Sequence, residues 1–292
     1  MSDRRLDIGV ASFRNPERLR ATLASIEKQS VTDWRCLIFH NPSDNEADEA
    51  ACGQVLAEAV DRNNRFHVEV LPENVGYAGA VNEILARTDG EYCLYCDNDV
   101  EILTHGWDEA LCSYLDRFHE LAMVVPNGGA YAIQRPGYLE VMWSPGFCWA
   151  LNKLALEDVG LFDITIGHQQ EADYALRIRM AGRKIGAAPE IRVAHNATAT
   201  NDPAATLRIN RGVISFVNKW VKYFCGQHMD YHSPNVLRWH DWPPNALFLE
   251  TYFRLNGLTG LNDKPETVTI NGEKFDLLKV PRLSGFYTSR II

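Results

Sequence analysis

Residues 91–100 read Glu91-Tyr92-Cys93-Leu94-Tyr95-Cys96-Asp97-Asn98-Asp99-Val100. From Tyr92 to Cys96 the run is almost continuously apolar, which marks a strand buried on both faces rather than one with a wet side. Two carboxylates follow at once. In open α/β sheets ligands bind beyond the carboxyl ends of the strands, so Asp97 and Asp99 are expected to project into that crevice. Adjacent carboxylates repel one another unless something neutralises them. A divalent cation does so, and Mg2+ or Mn2+ suits hard oxygen ligands and leaves positions open for substrate phosphates. The plain alternative is a solvated acidic loop.

The surrounding 200 residues alternate strand and helix signals. Ile8–Phe13, Trp34–Phe39, Phe66–Leu71 and Ala122–Val125 read as further strands. Pro16 suits the first turn of a helix, and Leu19, Leu23 and Ile26 follow at helical spacing. Other helices are expected over about 46–62, 78–87 and 107–118. This alternation predicts an α/β protein with a doubly wound, mostly parallel sheet flanked by helices. Beyond Pro126 the pattern loosens. Helices return at Lys153–Val159 and Ala172–Met180, and a strand over 191–194 runs into His195. The spacing predicts an amphipathic helix over 208–224 and a hairpin over 268–275 with an Asn271-Gly272 turn. The boundaries read as one domain over 1–203, with a change of pattern near 125, and a mixed C-terminal extension over 204–292.

The chain has 292 residues, with a formal net charge of −9 that argues against a uniformly basic nucleic-acid binder. That charge is uneven. Residues 204–292 carry eleven Lys/Arg against seven Asp/Glu, a net +4, whereas residues 1–203 carry 18 against 31, a net −13. There are seven cysteines. Cys93 and Cys96 form one C-x-x-C without a second ligand pair at zinc spacing, so they read as buried strand thiols. Unpaired cysteines suit a reducing cytosol. No apolar run approaches a signal-peptide core or a membrane span. A soluble, cytoplasmic protein is expected, with peripheral membrane contact left open for the 208–224 helix.

Three further residues carry chemistry. His195, at a strand end, offers an imidazole to the ion of Asp97 and Asp99, or is a satisfied strand-end histidine. Glu171 and Asp173 fall at the start of a helix, where the dipole keeps carboxylates ionised; they read either as caps or as a general base. Gly76 and Gly79 head another helix, either to let a phosphate approach the backbone or for close packing. Trp143, Trp149, Trp239 and Trp242 are core residues or platforms for sugar rings.

Four motifs in order resemble those of the family 2 glycosyltransferases of GT-A fold. They are Val10-Ala11-Ser12-Phe13-Arg14-Asn15; Asn74-Val75-Gly76-Tyr77-Ala78-Gly79-Ala80-Val81-Asn82 leading to Asp97-Asn98-Asp99; Gly146-Phe147 through Gly160-Leu161-Phe162-Asp163; and Gln170-Glu171-Ala172-Asp173 with Gly182 and His195 following. The resemblance covers about residues 5–200. It implies a GT-A catalytic domain over 1–203, with residues 1–125 as its nucleotide-sugar-binding half and 126–203 as its acceptor and catalytic half, and a nucleotide-diphosphate-sugar donor. It implies Mn2+ or Mg2+ held by Asp97, Asp99 and His195, with Asp99 as a direct ligand and Asp97 nearer the ribose and sugar. Glu171 falls at the catalytic base position, with Asp173 two residues on as a second catalytic candidate. The loop Ala11, Ser12, Phe13 and Arg14 would cradle the nucleotide, assisted by His40, Asn74, Gly76, Asn82, Asp97 and Asn98.

One departure from the family stands out. His40 occupies a strand end where an acid usually reads the base, so UDP, GDP and dTDP all remain open as the nucleotide. The reaction implied is a single displacement with inversion. The acceptor is expected to be a glycan, a lipid-linked sugar or another hydroxyl-bearing molecule, and the positive tail also admits a nucleic acid. A nucleotidyltransferase is one alternative, although its first loop would carry glycine and a basic residue, and Ser12–Pro16 lacks glycine. A binding protein without turnover is the other, although the acids and the histidine are all present.

Overall fold

The computed structural model describes residues 5–126, 132–141, 144, 146–166, 170–196 and 219, and the backbone of 266–270 and 273–277. In chain order the first half is β1 (Arg5–Ser12), α1 (Pro16–Gln29), β2 (Asp33–His40), α2 (Glu46–Arg62), β3 (Phe66–Val70), α3 (Gly76–Arg87), β4 (Tyr92–Asp97), β5 (Val100–Ile102), α4 (Trp107–Arg117) and β6 (Leu121–Val125). The second half is β7 (Ala132–Arg135), β8 (Tyr138–Val141), β9 (Cys148–Asn152), α5 (Leu154–Val159), α6 (Gln170–Met180), β10 (Lys184–Ala187) and β11 (Val193–His195). β12 (Glu266–Ile270) and β13 (Glu273–Leu277) pair antiparallel, as the hairpin reading requires. The turn residues 271–272, Trp143, Trp239, Trp242 and the helix expected over 208–224, Lys219 excepted, lie outside the described residues.

Nine strands form the main sheet in the order β3-β2-β1-β4-β9-β6-β10-β8-β7. The parallel run expected from the alternation holds for β3-β2-β1-β4. Beyond it antiparallel strands enter the sheet. β9 inserts antiparallel between β4 and β6, and β10 lies parallel to β6 but antiparallel to β8. Pairing of such short strands is fixed by distant partners, which local periodicity does not record.

Alternation along the strands divides the core into two layers. Leu37, Phe39, Cys93, Tyr95 and Trp149 face α3, α5 and α6. Ile8, Val10, Ile38, Leu94 and Cys96 face α1, α2 and α4. Cys93 and Cys96 therefore point to opposite faces and cannot share an ion. Trp149 is a core residue, stacked on Tyr95 with centroids 4.9 Å apart. α3 crosses β1 at Gly9, where a Cβ would come within 2.3 Å of Ile84 Cγ2; a side chain there would cost about 1–3 kcal/mol in overpacking. Seating α3 this low brings its N-terminus to the carboxyl ends of β1 and β4.

β5 and β11 form a separate antiparallel pair in which His195 lies opposite Val100. The pairing carries His195 back to the Asp97–Asp99 turn.

Candidate active site

Asp97 closes β4, Asp99 sits in the following turn, and His195 closes β11. One ligand atom from each lies within 4.8 Å of the others. His195 Nε2 is 3.3 Å from Asp99 Oδ1, and Arg18, in the first turn of α1, is 3.9 Å from Asp99 Oδ2. The frame around them is tied by backbone bonds. Asp97 N donates to Phe147 O at 2.8 Å and Asn196 N to Asp99 O at 3.0 Å. The His195 ring stacks on Phe147 with centroids 4.3 Å apart, which fixes the plane of the imidazole. Two carboxylates and an imidazole form a suitable donor set for a divalent first-row ion, and the nitrogen favours Mn2+ over Mg2+.

Electrostatics make the site receptive to positive charge. Burial pushes the Asp97 carboxyl up to about 7; the Tyr95 hydroxyl, which donates to Asp97 Oδ1 at 2.5 Å, works the other way, and the charge of Asp99 adds to the rise. Burial opposes protonation of His195, yet Asp99 outweighs it and holds the imidazole above its ordinary value. Glu171, in the first turn of α6, is likewise raised to about 7, by burial first and further by the charge of Asp97. Its neighbour is Gly146, whose backbone has φ +86 and whose missing Cβ would stand 3.4 Å from Glu171 Cβ and Cγ. Tyr77 donates its hydroxyl to Gly146 O at 3.0 Å and feels the charges of both Asp97 and Glu171. Tyr77 and Gly146 thus border both carboxylates, each of which is partly open to solvent.

Asp173 is differently placed. It is fully buried, and its Oδ2 accepts from Arg177 Nε at 2.9 Å while Lys219 Nζ lies 2.7 Å from its Oδ1. The same lysine reaches Asp163 Oδ2 at 2.7 Å. Burial would raise the Asp163 carboxyl, but Lys219 and Thr165 hold it down at about 2. Glu171 is therefore partly open to solvent, and Asp173, two residues later, is buried and committed to cations.

The residues expected on the nucleotide side gather at the carboxyl ends of β1, β2 and β4, but several are occupied by protein. Ala11 pairs with both Phe39 and Asp97. Ser12 and His40 are buried and bonded to each other, Oγ to Nδ1 at 3.0 Å, and His40 Nε2 lies 3.2 Å from both carboxylate oxygens of Glu49. Burial would raise Glu49, but the Ser43 N–H and His40 keep it below its ordinary value. A carboxylate is thus present near the end of β2, supplied by α2. Arg14 stands over the Phe13 ring at 4.9 Å and donates from Nε to Ser43 Oγ at 3.0 Å. Asn74 Oδ1 accepts from Gly76 N at 2.9 Å, which shapes the turn into α3. Asn82 is fully engaged with the Phe162 backbone, donating to its O at 2.9 Å and accepting from its N at 2.8 Å. Asn98 Nδ2 donates to Phe13 O at 3.1 Å and Arg14 O at 3.0 Å.

Sequence reasoning missed Tyr95, Tyr77, Arg18 and Lys219. Tyr95 was detectable, because a residue two positions before Asp97 on a strand shares its face. Tyr77 was hidden in a glycine-rich stretch, and Lys219 bonds to partners at least 46 positions away in the chain. A cleft of about 500 Å3 lined by Arg35, Phe39, His67, Glu69, Arg87 and Asp89 shares no residue with the carboxylate cluster. Its arginines are already paired, Arg35 with Asp7 and Asp89, and Arg87 with Glu69 and Glu83.

The chain is similar to known proteins in sequence and in fold. The model of Glycosyl transferase family 2 matches residues 7–157. The teichoic acid poly(glycerol phosphate) polymerase of Staphylococcus epidermidis is 26% identical over 140 residues, which is 47% of this chain. The chain spans only 18% of that polymerase's length. The mannosyltransferase PcManGT from Pyrobaculum calidifontis, solved with GDP-Man and Mn2+, superposes with a TM-score of 0.64 at 15% identity, over 86% of this chain and 70% of that one. GalNAc-T7, solved with UDP, GalNAc and Mn2+, gives a TM-score of 0.64 at 15% identity, over 92% of this chain and 60% of that one. At such identities these structures share the GT-A fold with this chain.

Proposed function

Because the chain belongs to glycosyl transferase family 2, we propose that it transfers a sugar from a nucleotide-diphosphate-sugar to an acceptor hydroxyl, with Asp97, Asp99 and His195 holding a divalent cation and Glu171 acting as base. The observation that carries this reading is the juxtaposition of an O,O,N ligand cluster within 4.8 Å with another carboxylate, Glu171, beside Gly146 and near enough to feel the charge of Asp97. The donor set favours Mn2+, the ion bound in both solved structures compared above. When bound, such an ion offsets the negative charge that builds on a departing diphosphate.

The chain's own groups do the rest. Glu171, raised to about 7, is matched to general-base work at neutral pH. It takes the proton of the acceptor hydroxyl while the hydroxyl oxygen bonds to the anomeric carbon and the bond to the nucleoside diphosphate breaks on the opposite side, which inverts that centre. Arg18 adds a fixed positive charge beside Asp99. Asp173, held by Arg177 and Lys219, positions α6 and hence Glu171. The acceptor is a glycan or lipid-linked chain bearing a hydroxyl. The net positive charge of residues 204–292 and the similarity to a poly(glycerol phosphate) polymerase support an anionic one. No helix among the described residues is long and apolar enough to cross a membrane.

The test is a thermal-shift panel of UDP-, GDP- and dTDP-sugars with and without Mn2+. A donor at 100 times its Kd adds about 2.7 kcal/mol to stability, and the rise is expected for one donor and only with the ion. Glu171→Gln should keep that rise and lose transfer. A panel without any ion-dependent rise, or transfer undiminished by excess chelator, overturns the proposal.

A further inference from the structure

The turn between β1 and α1 holds two consecutive non-glycine residues in the left-handed region, Arg14 at φ 53 and Asn15 at φ 55. Side chains disfavour this conformation, Arg more than Asn, and it persists only where surrounding structure imposes it. Asn15 gains nothing in return as a helix cap, because its side chain makes no capping hydrogen bond to α1. Something else must hold the turn, and the structure contains it. Asn98, the middle residue of Asp97-Asn98-Asp99, points its amide nitrogen into the turn and donates to Phe13 O at 3.1 Å and Arg14 O at 3.0 Å. Both targets are acceptors, so only the nitrogen can occupy that position.

We infer that Asn98 is a positioning residue, one that sets the nucleotide-cradling turn from the metal-binding turn instead of touching donor or ion itself. The inference rests on the glycosyltransferase reading above. With its two hydrogen bonds Asn98 fixes the peptide between Phe13 and Arg14. The Arg14 guanidinium is thereby aimed at Ser43, and α1 starts where Arg18 comes within 3.9 Å of Asp99. One side chain therefore couples the geometry of the two loops that a nucleoside diphosphate would have to bridge. An aspartate at this position would aim a carboxylate at two carbonyl oxygens and repel the turn, although it would enlarge the acidic cluster for a cation.

The experiment is calorimetric titration of the parent, Asn98→Ala and Asn98→Asp with Mn2+ alone, and then with UDP, GDP and dTDP in saturating Mn2+. Two lost hydrogen bonds to a strained turn should weaken the nucleotide that the parent binds by about tenfold or more in Asn98→Ala, and further in Asn98→Asp. Mn2+ alone should bind Asn98→Ala as tightly as the parent. Undiminished nucleotide affinity in Asn98→Ala or Asn98→Asp overturns the inference and leaves the enzyme reading intact, as does a matching loss of Mn2+ affinity in Asn98→Ala. Loss of cooperative thermal unfolding in either variant also overturns it, since Asn98 would then be a folding determinant. If the parent binds none of the three nucleotides with Mn2+, the glycosyltransferase reading falls, and the inference with it.

Discussion

His195 Nε2 stands 3.3 Å from Asp99 Oδ1, although 96 positions separate the two residues in the chain. The short β5–β11 pair makes the contact, and the Phe147 ring fixes the imidazole plane. His195→Ala should therefore weaken Mn2+ by at least about tenfold, about 1.4 kcal/mol. His195→Gln, which restores a neutral donor atom of shorter reach, should recover part of that loss. Calorimetry with Mn2+ alone measures both, and an unchanged affinity in His195→Ala removes the histidine from the ligand set.

Asp97 and Glu171 both rise to about 7 in the fold, against ordinary carboxyl values near 4. A group raised on folding stabilises the fold fully below its unfolded value, and that contribution is lost as pH climbs through the folded value. In the absence of divalent ions the melting temperature should therefore fall between about pH 4 and pH 7, and Glu171→Gln should flatten part of the slope. Transfer should move the opposite way over the same window, because the base works only when ionised. Parallel melting and rate profiles check the pair of signs, and an activity that declines from pH 6 to 8 excludes Glu171 as base.

Asn82 donates to and accepts from the same peptide unit, that of Phe162. Asn82→Ala strands both backbone groups and should cost about 1–3 kcal/mol in urea unfolding. Nucleotide affinity should stay within about twofold of the parent, as expected for two hydrogen bonds spent inside the protein. A large loss of nucleotide binding at unchanged stability would return Asn82 to the donor site.

Much of the first half was legible because burial on both faces leaves an unmistakable local pattern: Tyr92–Cys96 could be little else than a central strand, and its carboxyl end had to carry Asp97 and Asp99. The placement of His195 and Glu171 was legible for a similar reason, since each sits at an element end. β9 was not. Its five residues, Cys148–Asn152, earn their place by lying between β4 and β6, a fact about partners and not about Cys148–Asn152 themselves. The same holds for Asn98 and Asn82, whose amides read as ligand contacts in sequence and turn inward in the structure, because side-chain direction depends on a turn that spacing does not encode. Sequence placed Glu171 first and Asp173 second as base candidates without showing how their surroundings differ. The helix rotates them about 200° apart, one partly open to solvent and one buried against Arg177 and Lys219.

Lys219 bridges Asp163 and Asp173, and it lies past the boundary at 203 that composition draws between catalytic domain and extension. A gene fragment trimmed at that boundary would take the Lys219 ammonium away from a fully enclosed carboxylate beneath α6, and would misreport a loosened helix as an inactive enzyme. The smallest self-sufficient version of this catalyst must run beyond residue 219.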